Sequence, residues 1–219
     1  MEFKKVIAGA FYFVDEYKKV LSKALALPFL AYVLLGVTQY MAVTGVLAVV
    51  VEVVRLAILA VFAITTHRII LLGPNSVSRW GITAWTKRET FFFLHAVGIV
   101  LMGIPMVLLN FIPILGSLAS LIIICWFAGR FCLVFPGIAV DKGVSFKLSW
   151  ELTKSHQVLM FLVVIVFPTV LAIPTYILSF VPYSTLLSSA ISAFLFVYEV
   201  SALSVAYQLI TAERYKNDE

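Results

Sequence analysis

Six apolar runs, each long enough to cross a bilayer, constrain this chain more than any other feature. They cover about 24–43, 46–70, 91–109, 112–135, 157–179 and 185–210, and a helix spans the hydrocarbon core with about 20 apolar residues. The chain is 63% hydrophobic before its 11 glycines are counted and 12% charged, against about 45–50% apolar, glycine included, in a soluble domain. At 219 residues a soluble fold would leave too much of that surface exposed to water. In lipid the backbone must satisfy its own polar groups, and helices do so locally. The expected fold is all-α: a polytopic transmembrane helical bundle, one domain over residues 1–219.

The links between runs alternate in character. Thr44-Gly45, the Asn110 to Gly116 region and Pro182-Tyr183-Ser184 are short and uncharged, which pairs the runs into three hairpins, 24–70, 91–135 and 157–210. The other links carry the cations: Lys4, Lys5, Lys18, Lys19 and Lys23, then Arg79, Lys87 and Arg88, then Lys142, Lys147 and Lys154, then Arg214 and Lys216. Arg68 and Arg130 stand toward the same ends of their helices. The positive-inside rule therefore expects both termini and both long links in the cytoplasm. Trp80, Trp85 and Trp150 fall in these links, where an indole suits the headgroup layer. The net charge of +5 is explained by topology, so no nucleic-acid partner is expected.

Residues 3–21 read differently. Phe3, Val6, Ile7, Ala10, Phe13, Val14, Tyr17, Val20 and Leu21 recur at three- and four-residue steps, with Lys4, Lys5, Asp15, Glu16 and Lys19 mostly opposite. The pattern is an amphipathic helix, expected in the cytoplasmic interface and otherwise packed on protein. Short helices are also expected in the links 76–90 and 143–156. In the second, Val144, Leu148 and Leu152 oppose Phe146 and Trp150.

An internal repeat is visible. Ile104 to Pro113 reads IPMVLLNFIP and Ile173 to Pro182 reads IPTYILSFVP, with five of ten positions identical at an offset of 69. Both stretches end a span and turn into the next. At the same offset Arg130 aligns with Glu199. A repeat of this kind points both hairpins the same way, about an axis along the membrane normal.

Four ionisable residues lie within the apolar runs. Glu52 and Arg55 share a helix face in the second, Arg130 is in the basic-end third of the fourth, and Glu199 is midway along the sixth. A charge near the bilayer centre costs about 2.5–3.5 kcal/mol on insertion scales. Glu52, Arg55, Arg130 and Glu199 are expected either to form one ion-paired network that sets helix register or to line a polar pathway or anion site. Arg55 and Glu199 are expected to face the bundle interior.

Positive signals for catalysis are missing. His67 and His95 have no ligand at metal spacing, and neither H-E-x-x-H, G-x-S-x-G nor a glycine-rich phosphate loop occurs. His67, beside Arg68, reads as an interfacial residue. No cofactor and no metal are expected. Cys125 and Cys132, seven apart on one helix face, have alpha carbons about 10 Å apart, too far for a disulfide, and read as buried small residues.

Gly129 to Lys154 reads GRFCLVFPGIAVDKGVSFKLSWELTK. This stretch resembles the membrane domain fused to some glycerophosphodiester phosphodiesterases, which also occurs alone in small bacterial inner-membrane proteins. The matching residues are Arg130, Pro136, Asp141, Gly143, Ser149, Trp150, Leu152, Thr153 and Lys154; the rest of the chain resembles the family only by span pattern. No phosphodiesterase domain follows within these 219 residues, so diester hydrolysis is not expected. The resemblance implies a bacterial inner-membrane bundle. Physically, Asp141 and Gly143 read as a turn, Ser145 or Gly143 as a helix start, and Arg130 as the group that bonds that turn or Asp141.

The functional expectation is a non-catalytic integral membrane protein. Its partner would be lipid, including anionic lipid at the cytoplasmic face, or another membrane protein. The alternatives are a small-solute transporter or channel centred on Arg55 and Glu199, and an intramembrane lipid-modifying enzyme.

Overall fold

In a computed structural model of the chain, which describes residues 2–39, 44–78, 80, 85–109, 111–112, 114–143 and 145–217, the described residues form helices and turns and no strand. Arg79, Asn110, Pro113 and Val144, and the side chain of Lys216, lie outside the described residues. The helices are α1 (Glu2–Glu16), α2 (Lys18–Leu35), α3 (Gly45–Leu72), α4 (Lys87–Leu109), α5 (Leu115–Phe131), α6 (Val134–Ala139), α7 (Phe146–Thr153), α8 (Gln157–Phe161), α9 (Phe167–Leu171), α10 (Ile173–Leu178) and α11 (Thr185–Asn217).

Six segments are long and apolar enough to cross a bilayer: Lys18–Thr38, Gly45–Leu72, Lys87–Met106, Leu115–Ala139, Gln157–Leu178 and Thr185–Arg214. The protein is a membrane-embedded helical bundle. α2 packs on α3, α4 on α5 and α6, and α11 on α2, α3 and the broken fifth span. That span is interrupted where Pro168 has no N–H to donate; the turn before it, Leu162–Val166, widens to a π-helix, the usual local answer to a lost bond.

The start of α4 falls at Lys87, not near 91. Thr86, Lys87, Arg88 and Glu89 form a capping box: the Thr86 N–H donates to Glu89 Oε2 at 2.8 Å, the Thr86 hydroxyl also bonds that carboxylate, and the Arg88 N–H donates to Thr86 Oγ1 at 3.3 Å. The T-x-x-E signal was present in the sequence. Of the two helices expected in the links, α7 forms, with Ser145 accepting from the Leu148 N–H. The described part of 76–90 holds no further helix before α4.

Burial is uneven. The core gathers in the basic-end half: Ala60 to Ile70 of α3, Cys132 to Ala139, Leu159 to Phe167, and Val197 to Ile210 of α11. The opposite half presents large side chains such as Val46, Leu101, Leu108, Leu121, Ile177 and Leu187 to the surroundings. Ser201, Ala202, Ser204 and Ala206 are fully buried along α11, and small residues of this kind let helix backbones approach in a bilayer. α1 uses that surface. Val6, Ala10 and Val14 are buried, and Phe11 stacks on Tyr198 with centroids 4.8 Å apart. The stripe expected to meet lipid is thus largely taken up by protein, while Tyr12 stays exposed.

The turns that close the second and third hairpins share a plan. The Phe111 and Ile112 N–H groups donate to Leu108 and Leu109 at 3.2 and 2.9 Å; the Phe180 and Val181 N–H groups donate to Ile177 and Leu178 at 3.3 and 2.9 Å. Ile114 and Tyr183, also 69 apart, both take positive φ, 62° and 61°. The prolines differ in use: Pro105 lies inside the continuous α4, whereas Pro174 starts α10.

Candidate functional site

Polar side chains assemble first where the chain re-enters the basic end. Asp141, in the left-handed region at φ 60°, receives Arg68 Nη1 at 2.9 Å and lies 3.2 Å from Arg88 Nε. Arg68 also donates to the Ala139 carbonyl at 2.9 Å and to the Ser76 carbonyl at 3.2 Å. The ends of α3, α4 and α6 are thereby tied together. The expected turn at Asp141 and Gly143 is present, with Gly143 at φ 58°, but its partner differs from the expectation. Arg68 hydrogen-bonds Asp141 and Arg88 pairs with it by charge, whereas Arg130 lies against Trp150 of α7.

Arg130 is only 4% exposed. Ser149 and Thr153 donate their hydroxyls to its carbonyl at 2.8 and 3.3 Å, and its guanidinium carbon stands 4.3 Å from the centroid of the Trp150 ring. Trp150 in turn packs edge-on to Trp126, with centroids 5.0 Å apart. The motif residues Arg130, Ser149, Trp150 and Thr153 therefore form one construction, with Pro136 buried in α6 nearby in sequence. The cation–π contact is attractive, yet Nε and Nη1 of Arg130 are buried with no hydrogen-bond partner.

The four intramembrane charges do not form one network. Glu52 and Arg55 pair at 3.5 Å, with the Glu52 side chain 68% exposed and that of Arg55 18%. Arg55 turns inward, and its carboxylate partner is Glu52, three residues away on the same helix face. Glu199 faces the interior. It lines two cavities, of about 330 Å³ with Leu56, His67 and Phe196, and about 170 Å³ with Tyr32, Thr175 and Ser192. The separation follows from helix packing: α5, which carries Arg130, lies against α4, α7 and α8, whereas α11 lies against α2 and α3.

Two groupings escaped sequence reading. His67 is not interfacial: it is 1% exposed, and its Nδ1 lies 2.7 Å from Ser204 Oγ. The Ser204 hydroxyl already donates to the Val200 carbonyl at 2.9 Å. With that hydroxyl proton on Val200, the Nδ1–H tautomer of His67 donates to Ser204 Oγ, and the pair acts as an interhelical bond between α3 and α11. Second, His156 sits between Glu2 and Glu213, at 3.8 Å from Nδ1 and 3.5 Å from Nε2. These ligand atoms lie within 4.8 Å of one another, close enough for an ion. The two carboxylates address opposite ring nitrogens, so the ring bridges the start of α1 and the end of α11. Partners 57, 137 and 154 residues apart leave no spacing signal.

Comparison with protein-family models, with curated proteins and with solved structures finds no match for this chain.

Proposed function

We propose that the chain is a non-catalytic protein of a bacterial inner membrane whose ligand is lipid, with its basic end and both termini in the cytoplasm. The observation that supports this best is the split character of the molecule. One half exposes large apolar side chains on every span, and the other holds the buried Arg130 and the half-buried Arg68 and Arg88 that clamp Asp141. An end of this kind belongs at the headgroup layer, where arginine and tryptophan meet phosphate and glycerol. The resemblance of residues 129–154 to inner-membrane domains favours the same assignment. Native mass spectrometry of the chain released from mild detergent tests it: retained phospholipid is expected, and a bare polypeptide after gentle extraction would overturn it. Cysteines placed at Lys87 and Lys154 test the orientation; both are expected to label from the cytoplasmic face of sealed vesicles, and opposite sidedness would refute it.

A second reading is supported by Glu199, which no described side chain pairs and which borders two cavities. An unpaired intramembrane carboxyl is a default functional site. In proteoliposomes loaded with a pH-sensitive dye, a proton-coupled carrier would show flux that Glu199→Gln abolishes; a scaffold would show none and only lose thermal stability on the same change.

A further inference from the structure

Arg130 is a buried cation that no acid of the described chain neutralises, and it stands at the polar end of a groove. The groove measures about 550 Å³ and lies between α5 and the fifth span. Gln157, Phe161, Ile165 and Thr169 line one wall at four-residue steps, so they share one helix face. Residues of α5, including Ile122 and Trp126, line the other. From Gln157 to Thr169 the helix rises about 18 Å, more than half of the hydrocarbon core of about 30 Å. Gln157 begins its span, which puts Arg130 at headgroup level and the far end of the groove deep in the bilayer.

We infer that this groove holds one acyl chain of a phospholipid whose phosphate sits on Arg130. A guanidinium with two buried, unpartnered nitrogens lacks acceptor oxygens, and a phosphate brings several on one anion. A free anion would neutralise the charge but leave the apolar walls unfilled; a phosphate carrying a hydrocarbon chain satisfies both ends. Ser149, Trp150 and Thr153 hold the arginine in place from the opposite side, which is the work of the 129–154 motif in this assignment. The assignment rests on the proposal that lipid is the ligand.

The test uses the full chain, delipidated in detergent, with Trp80→Phe and Trp85→Phe so that Trp126 and Trp150 report. Phosphatidylglycerol brominated on its acyl chains should quench emission saturably. Arg130→Gln should weaken that binding at least tenfold. So should Thr169→Phe, which fills the groove from an exposed position and leaves Arg130 in place should Arg130→Gln misfold. Brominated diacylglycerol, lacking the phosphate, should bind at least tenfold more weakly, and inorganic phosphate should not displace the lipid. Saturable quenching that neither substitution changes would place the lipid elsewhere and sink this site while leaving the lipid reading intact, as would retained phospholipid with no quenching. Equal binding of diacylglycerol, or full displacement by inorganic phosphate, would also overturn it. Absence of both quenching and retained lipid would remove the lipid reading itself.

Discussion

The second and third hairpins share a short outer motif and almost nothing else. Their turns share two backbone hydrogen bonds at an offset of 69 residues and the positive φ at Ile114 and Tyr183. Their spans diverge: α4 runs through Pro105, whereas the fifth span is broken three times between Gln157 and Leu178. Their aligned charges diverge further, with Arg130 under Trp150 and Glu199 between two cavities. A turn depends on a handful of consecutive residues, so a short motif suffices to reproduce it. The surroundings of a mid-helix charge depend on which helices pack against it, and those differ for the two hairpins.

The sharpest way to break this comparison is at Gly116 and its counterpart Thr185. A Cβ on Gly116 would fall 1.7 Å from the Leu109 carbonyl oxygen, so Gly116→Ala should cost on the order of 3 kcal/mol, whereas Thr185→Ala should cost less than about 1 kcal/mol. Denaturant titration in detergent checks both; equal costs would show the turns to be interchangeable after all. The basic ends come next. Asp141→Ala leaves Arg68 and Arg88 without their shared carboxylate and should cost about 2 kcal/mol, less than a fully buried pair because Asp141 is 58% exposed. The third hairpin's equivalent clamp is looser, and His156→Gln should cost about 0.5 kcal/mol. A melting shift as large for His156→Gln as for Asp141→Ala would contradict that ranking.

Arg130→Met follows. In lipid-free detergent it should be neutral or stabilising by about 1 kcal/mol, since a buried charge without an acid gives way to an apolar chain of similar length; a large loss of thermal stability would mean that the cation is internally compensated. Smallest are Ile114→Gly and Tyr183→Gly. Each relieves a side chain held at positive φ and should stabilise by about 0.5 kcal/mol. Similar gains at both sites would sharpen the likeness of the turns, and a loss at one alone would end it.

Much of the architecture could be read from residue order because its cause is local. Transfer of apolar runs into hydrocarbon depends on composition and length, so all six spans were legible; the largest boundary differences are the first span, which runs Lys18–Thr38 instead of 24–43, and α4, which the T-K-R-E cap starts four residues early. The motif around Arg130 was legible as a motif but not as a geometry. Ser149 and Thr153 were expected in a helix, yet nothing in their spacing says that they bond the carbonyl of a residue nineteen and twenty-three positions earlier. The link carboxylate Asp141 was seen as a turn residue and assigned the wrong arginine, because Arg68 reaches it across 73 positions of chain.

Residue order alone determined the six apolar spans of a membrane-embedded chain and where the hairpin turns bend, since each follows from solvent transfer or from contacts a few residues apart. Tertiary structure alone decided the long-range partners: Arg68 and Arg88 on Asp141, His67 on Ser204, and Arg130 beneath Trp150 with Nε and Nη1 unanswered. Electrostatic partnership acts through space over a few ångströms, and which distant residues come that close is set only when the helices pack.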